Sequence, residues 1–133
     1  MANVELVRAP ALSGEVPYAY AAVVGPGSLV LTAGACPLDD GGEVVCVGDH
    51  RGQAEQVMRN LVAALAAAGC TLADVAKSTV YVASAERGEL VDVWQVVRAA
   101  FGDHDAPSTL LGVAALGYPD QLVEVEAVAV RPA

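Results

Sequence analysis

The order of strand-like and helix-like segments constrains the fold of this chain more than any other feature. Alternating apolar segments predict strands, whereas apolar residues spaced three and four apart predict amphipathic helices. In chain order the predicted elements are strands 17–24 and 28–34, a turn with a short strand within 37–45, helix 51–68, strand 77–84, helix 88–101, and strands 108–116 and 122–130. This order predicts an α+β fold, in which a mixed six-stranded sheet carries both helices on one face.

Glycines mark the ends of several of these elements. Gly25-Pro26-Gly27 separates the first two strands and predicts a hairpin turn between them. Gly69 and Gly102 follow the two helical patterns and predict their C-terminal caps. Val62 and Val91 fall on the apolar stripes that the two helices are expected to bury.

The segment 122–130 carries two glutamates within an otherwise apolar strand pattern. Because side chains alternate faces along a strand, Glu124 and Glu126 point the same way. An unpaired carboxylate in apolar surroundings is costly, so this face is expected to border water, a partner charge or a ligand. A solvated sheet face and a ligand site both fit this pattern.

The size and apolar content of the chain predict one domain, 1–133, with its own core. At 133 residues, of which 55% are hydrophobic, the chain needs neither disulfides nor metal to fold. Only 5% of its residues are aromatic, so the core is expected to be aliphatic. Excess apolar content in a small chain also indicates burial between subunits, and we expect an oligomer.

Charge and cysteine content argue against several classes of partner. A formal net charge of -9 repels phosphate backbones, which argues against nucleic acid. Three cysteines without CxxC spacing predict neither a disulfide framework nor a zinc site, and His50 and His104 have no neighbours at ligand spacing. The sequence shows no secretory pattern and no bilayer-length apolar stretch. We therefore predict a cytoplasmic protein that binds no metal, membrane or nucleic acid.

Several short motifs, taken in order, resemble the Rid family, also called YjgF/YER057c/UK114. Pro17-Tyr18 precedes the first predicted turn, LVLTAG ends a strand where the family has Thr-Ser-Gly, and Pro37 follows. Gln53 and Asn60 match the family's Q...N pattern in the first helix. The segments LAAAGCTLADVAKSTVYV, GVAAL and VEVEAVAV complete a resemblance that covers nearly the whole chain.

This resemblance implies a chorismate-mutase-like fold, assembled as a homotrimer with clefts between neighbouring subunits. It also implies hydrolysis of reactive enamines and imines, such as 2-aminoacrylate, to a keto acid and ammonia without any cofactor. Glu126 would be the catalytic residue that positions or activates the water adding to the C=N carbon. The substrate-binding residues would be Tyr18, Ala33, Gly34, Cys36, Trp94, Ser108 and Thr109.

Two of these residues also have simpler interpretations, and two positions depart from the family. Cys36 is more simply an inert buried thiol, and Trp94 is more simply a core anchor of the second helix. The family's deaminases hold the substrate carboxylate with an arginine in a Pro-Ala-Arg-Ser/Thr segment, whose place Ser108 occupies here. Ala33 replaces a serine of the family. A hydroxyl lacks the charge and the fork of a guanidinium, so we expect a substrate that is neutral or cationic at that position.

Two functions are open on these grounds. One is a Rid-like hydrolase of an imine, an enamine or a related intermediate of specialised metabolism, with an atypical substrate. The other is a non-catalytic module that binds a small metabolite, or regulates a partner, through the same cleft. If the substrate is carboxylated, Arg87, Arg98 or Arg131 would have to replace the missing arginine. The RNA cleavage sometimes attributed to the family ranks lowest because the chain is acidic.

Overall fold

The computed structural model of the protein describes residues 3–133, which form six strands and two α-helices. In chain order these are β1 (Val4–Val7), β2 (Ala21–Val24), β3 (Gly27–Leu31), α1 (His50–Ala67), β4 (Val75–Val82), α2 (Arg87–Phe101), β5 (Ser108–Gly112) and β6 (Val123–Pro132). A 3₁₀ turn at Leu72–Asp74 leads into β4. Both predicted helices are confirmed to within one residue at each end.

The central sheet has four strands in the order β3-β6-β4-β5. β6 runs antiparallel to both β3 and β4, and β5 runs parallel to β4. The helix α2 makes the crossover that a parallel pair requires. β1 and β2 form a separate antiparallel ribbon. The predicted mixed sheet is therefore confirmed, but its six strands are divided into groups of four and two.

The predicted hairpin around Gly25-Pro26-Gly27 is wrong, because the two strands that this turn separates do not pair with each other. β2 pairs with β1, with Val4 opposite Val24, whereas β3 pairs with β6, with Gly27 opposite Pro132. The chain thus passes from the ribbon to the central sheet between these two strands. The reason is that β1, a four-residue strand with no long apolar alternation, already occupies the edge of β2.

Four predicted strands are shorter than expected. The segment 17–24 forms a strand only at Ala21–Val24, and the segment 28–34 is replaced by a strand at Gly27–Leu31. β5 ends at Gly112 because its partner β4 ends at Val82, the residue opposite. The segment 37–45 keeps a single bridge between Leu38 and Val44. A side-chain oxygen of Asp39 accepts hydrogen bonds from two amides of this turn, so local turn geometry replaces a strand there.

Both helices cover one face of the central sheet, and the core between them is aliphatic, as predicted. It includes Val57, Leu61, Leu65, Val80, Val82, Val93, Val97, Val123, Val125 and Ala129, all fully buried. Val62 and Val91 are exposed, contrary to expectation. The stripes are narrower than predicted, because α1 turns Leu61 and Leu65 towards the sheet and α2 turns Val93 and Val97. Among residues 3–133, neither helix combines the length and the apolar character needed to cross a membrane.

The opposite face of the central sheet is a different surface. Leu29 and Leu31 of β3 and Leu111 of β5 are largely exposed on it, while polar side chains of β4 and β6 lie between these two edges. We call this surface the open face. It carries the two glutamates, and the alternation that the sequence predicts for the last strand is therefore confirmed.

Candidate functional site

The strand register sets out the polar groups of the open face. Across β4 and β6, Thr79 lies opposite Glu126 and Tyr81 lies opposite Glu124. Lys77 lies two residues before Thr79 on the same face of β4, opposite Val128. These side chains share a face because each strand alternates, with Val123, Val125 and Ala127 pointing into the core instead.

Glu126 is held by one hydrogen bond and borders a cavity. The Tyr81 hydroxyl donates to Glu126 Oε1 at 2.5 Å, and the second carboxylate oxygen accepts no hydrogen bond from any residue of 3–133. This hydrogen bond, with partial burial and the nearby carboxylates, raises the pKa of Tyr81, so the tyrosine stays protonated as a donor. The cavity, about 220 Å³, is lined by Leu31, Thr32, Lys77, Thr79, Glu126 and Val128.

Glu124 has a different set of contacts, although it lies only two residues away. Its Oε1 accepts hydrogen bonds from Gln121 Nε2 at 3.1 Å and from Cys36 Sγ at 3.4 Å. Its carboxylate also packs against the backbone at Gly34, where a Cβ atom would overlap Glu124 Oε2. Glu124 therefore connects β6 to the chain segment after β3, and a side chain at position 34 would displace the Glu124 carboxylate from this place.

The chain forms a bulge where β3 continues past Glu126. Leu31 lies opposite Val128 and Ala35 lies opposite Val125. The chain therefore advances four residues after β3 where β6 advances only three. The extra residue falls at Ala33-Gly34, and within residues 3–133 neither of their amide N–H groups has a hydrogen-bond acceptor. Two backbone donors are thus available beside the carboxylates.

The other predicted binding residues line a second cavity at the β5 edge. Pro17, Tyr18, Trp94, Ser108, Thr109 and Leu110 surround about 360 Å³. Trp94 also packs against the core, as the simpler interpretation of this residue predicts. The structure thus separates the predicted residues into three groups, around Glu126, around Glu124 and around Tyr18.

Ser108 and Thr109 point to opposite sides of the sheet. Ser108 Oγ accepts a hydrogen bond from Ser78 Oγ at 2.8 Å on the helix side, where Ser78 is buried. Thr109 lies on the open face, opposite Thr79, and its Oγ1 accepts a hydrogen bond from Lys77 Nζ at 2.6 Å. Thr109 therefore lies in the same row across the sheet as Glu126, whereas Ser108 does not.

The arginines that the sequence offered as replacements lie elsewhere. Arg98 is 3.7 Å from Asp105 and lines a separate cavity together with Pro17 and Trp94. Arg131 packs beside Gly69, at the end of α1. Arg87 begins α2. None of the three lines the cavity beside Glu126.

Two polar residues of α1 explain the Q...N pattern without any contact to a ligand. Asn60 Nδ2 donates to the carbonyls of Cys36 and Leu38, at 2.8 and 2.9 Å. Gln53 is fully buried and bonds three backbone groups, including the Leu122 amide before β6. Together they fix the two segments that carry Glu124 and the bulge.

Sequence reasoning missed Lys77, Thr79 and Tyr81 as neighbours of Glu126. Strand alternation in KSTVYV indicates that these three side chains share a face, but nothing within the segment shows that this face lies beside Glu126. No group of three or more His, Cys, Asp or Glu side chains in residues 3–133 is arranged to hold a metal ion.

The contacts of Cys36 lead to a pH-dependent prediction. Burial, followed by the hydrogen bond to Glu124, raises the pKa of this thiol to about 11. Because the thiolate is the reactive form, Cys36 should react at least about ten-fold more slowly with iodoacetamide at pH 8 than the exposed Cys46, and its rate should keep rising towards pH 11. Peptide mass spectrometry of the labelled native protein measures both rates.

Glu124→Gln supplies the matched variant for this labelling experiment. It removes the negative charge and should accelerate the labelling of Cys36 without changing that of Cys46. Equal rates for Cys36 and Cys46 in the native wild type would contradict the prediction, and urea-unfolded protein, in which both thiols are exposed, shows the rates without structure.

Comparisons with known proteins identify the family of this chain. The family model described as Endoribonuclease L-PSP matches residues 10–131. The 2-iminobutanoate/2-iminopropanoate deaminase of Salmonella typhimurium is 34% identical over 126 residues, covering 93% of each chain. A RutC family protein of Pyrococcus horikoshii is 31% identical over 112 residues, covering 84% of this chain and 86% of that protein. The solved structure of YyfB, a Rid family protein of Yersinia pestis, superposes with a TM-score of 0.90 at 30% identity, covering 96% of this chain and 98% of that one. The chain therefore belongs to the Rid (YjgF/YER057c/UK114) family and has its fold.

Proposed function

We propose that the protein hydrolyses the C=N bond of a small imine, or of the imine tautomer of an enamine, with Glu126 as the acid and base. The observation that carries this proposal is the free oxygen of Glu126 beside a cavity of about 220 Å³. The names of the related deaminases support the reaction class. No cofactor enters the proposed reaction.

The geometry at Glu126 suits both proton transfers of such a reaction. The free oxygen takes a proton from water as the water oxygen bonds to the C=N carbon, and the C=N electron pair moves to nitrogen. Glu126 then gives this proton to the nitrogen, which completes the carbinolamine. As the carbinolamine collapses, Glu126 takes the hydroxyl proton while the C=O bond forms and passes it to the nitrogen as the C–N bond breaks, so that ammonia leaves. Imine and water are thereby converted to a carbonyl compound and ammonia. Tyr81 fixes the carboxylate through its other oxygen, so the free oxygen keeps one orientation.

The bulge at Ala33-Gly34 supplies a second element of the proposed site. Amide N–H groups without an acceptor favour an electronegative atom within hydrogen-bond distance of them. Here they can donate to the substrate or to the attacking water. Glu124, by contrast, is held by Cys36 and Gln121, and we assign it a supporting role.

We also propose that the protein acts as a homotrimer in the cytoplasm. Leu29 and Leu31 are 63% and 69% exposed, and Leu111 is 42% exposed. In a free monomer this apolar surface would contact water, which costs free energy. Subunit contacts at these leucines would bury the edges of the open face. Three unpaired cysteines fit a reducing compartment.

Substrate recognition is expected to differ from that of an arginine-bearing relative. Neither Ser108 nor Thr109 can grip a carboxylate with two parallel charged hydrogen bonds. Ser108 in addition has its hydroxyl engaged by Ser78 on the other side of the sheet. The proposed substrate is therefore atypical in how it is held, while the reaction at the C=N bond is of the family's type.

Ammonia release from freshly generated imines tests the proposal. The panel contains imines with and without an α-carboxylate, and each rate is compared with the spontaneous rate. We expect catalysed hydrolysis of at least one set, and light scattering of the same preparation should give about three times the 13.5 kDa chain mass. Saturable binding without hydrolysis of any imine would refute the enzyme and favour the metabolite-binding module.

A further inference from the structure

We propose that Lys77 and Thr109 form an anion subsite beside Glu126, which takes a single carboxylate-type group of the ligand. The proposal deepens the proposed function, on which it rests for the reaction but not for the binding. It assigns the recognition of charge to β4 and to the open face of β5, and not to the position of Ser108 or to any arginine.

Lys77 is the only lysine in the sequence, and it lines the same cavity as Glu126. Its ammonium donates to Thr109 Oγ1 at 2.6 Å. An ammonium has three donors, and Thr109 uses one of them. Within residues 3–133 Lys77 forms no ion pair, so its charge is not neutralised by a carboxylate of the chain.

The arginines whose partners are known are engaged outside this cavity. Arg8 and Arg98 contact Asp105, Arg51 bonds Gln95, and Arg59 bonds Gln56. No arginine lines the cavity beside Glu126. Lys77 is thus the cation that an anionic ligand at this cavity would meet.

The spacing across the sheet suits a small bifunctional ligand. Thr109, Thr79 and Glu126 lie in one row over β5, β4 and β6. Neighbouring strands are about 4.8 Å apart, so the Thr109 hydroxyl and the Glu126 carboxylate are separated by two strand spacings, about 10 Å. A carboxylate hydrogen-bonded at Lys77 therefore places an adjacent C=N carbon over the middle of the row, within reach of a water bound by Glu126.

This arrangement changes the charge expected of the substrate. The sequence predicted a neutral or cationic substrate, because Ser108 removes the family's guanidinium while Glu126 remains. Lys77 offsets the negative charge at the carboxylate end, and Glu126 favours a protonated imine at the other end. A lysine recognises an anion as a point charge and not through a planar fork, so carboxylate binding here should be weakened strongly by salt.

The single lysine allows binding to be measured without turnover. Reductive ¹³C-methylation keeps the charge and labels Lys77 together with the N-terminal amine. A Lys77→Met variant, labelled in the same way, identifies the lysine signal by its loss. The probes are butanoate and its neutral isostere butanamide, titrated into labelled wild type by NMR, and into unlabelled wild type, Lys77→Met and Lys77→Arg by calorimetry.

We expect butanoate, but not butanamide, to shift the dimethyl-lysine signal. Lys77→Met should weaken butanoate binding about ten- to hundred-fold, the cost of one charge-assisted bond, whereas Lys77→Arg should retain most of it. In turnover, Lys77→Met should lower the ratio of kcat/KM for carboxylated imines to that for carboxylate-free imines. The melting temperature checks that the variants fold.

Two results would overturn the subsite. One is an absence of butanoate binding to the wild type, and the other is equal butanoate affinity in wild type and Lys77→Met. Lysine-dependent butanoate binding in a protein that hydrolyses no imine would instead uphold the subsite and refute the proposed function. The two ideas therefore fail in different experiments.

Discussion

Replacing Glu126 by glutamine is expected to lower kcat/KM for imine hydrolysis by roughly 10²- to 10⁴-fold, the range that a general acid and base contributes. Glutamine has nearly the same shape and still accepts the hydrogen bond from Tyr81 through its carbonyl oxygen. It has no carboxylate oxygen to take a proton from water. Ammonia release, measured on the imine that the wild type hydrolyses fastest, gives the size of the loss.

Glu124→Gln is the matched control for this experiment. It removes the same charge from the same strand and the same face, two residues away, but from a carboxylate already bonded to Cys36 and Gln121. We expect its kcat/KM to stay within about ten-fold of the wild type. If Glu126→Gln keeps its activity while Glu124→Gln loses it, the assignment of the two glutamates is reversed. Circular dichroism and melting temperature verify that both variants fold.

The largest expected effect on stability comes from Gln53→Ala. The side chain is fully buried and donates to the carbonyls of Cys46 and Asp120, while its oxygen accepts from the Leu122 amide. Alanine leaves these backbone groups without partners and opens a cavity, so the free energy of unfolding should fall by about 3 kcal/mol. Urea denaturation measures the change.

Gln56→Ala is the control for that variant, since it removes the same residue type from the same helix. Gln56 is only partly buried and bonds side chains of its own helix, Asn60 and Arg59. Its loss should cost less than about 1 kcal/mol. All proteins must be compared at one concentration, because dissociation of an oligomer contributes to unfolding. An equal decrease in the free energy of unfolding for the two variants would show that the buried hydrogen bonds of Gln53 stabilise the fold no more than those of Gln56.

The helices and the face assignment of β6 could be predicted because both depend on local periodicity. The α1 pattern ends at Gly69, and the alternation in 122–130 needs no information about neighbouring strands. The register could not be predicted in this way. Whether Ser108 or Thr109 shares a face with Glu126 depends on how β5 pairs with β4, and a shift of one residue reverses the answer.

The site was predicted less completely for a related reason. Glu126, Tyr18 and Thr109 could be named from motifs, but Lys77 and Tyr81 come near Glu126 only through pairing between β4 and β6, which are more than forty residues apart in the chain. The bulge at Ala33-Gly34 is also a property of two strands together. Long-range pairing of this kind leaves no signature within either segment.

The place of β6 in the sheet has a consequence for the synthesis of the protein. β6 follows every other strand in the chain, yet it separates β3 from β4 and pairs with both. As the polypeptide leaves the ribosome, β3 and β4 therefore emerge without the strand that joins them, and each presents an open edge and apolar side chains. The sheet can close only when β6 has been translated, so the nascent chain passes through a stage that favours binding by chaperones or premature association between neighbouring polypeptides.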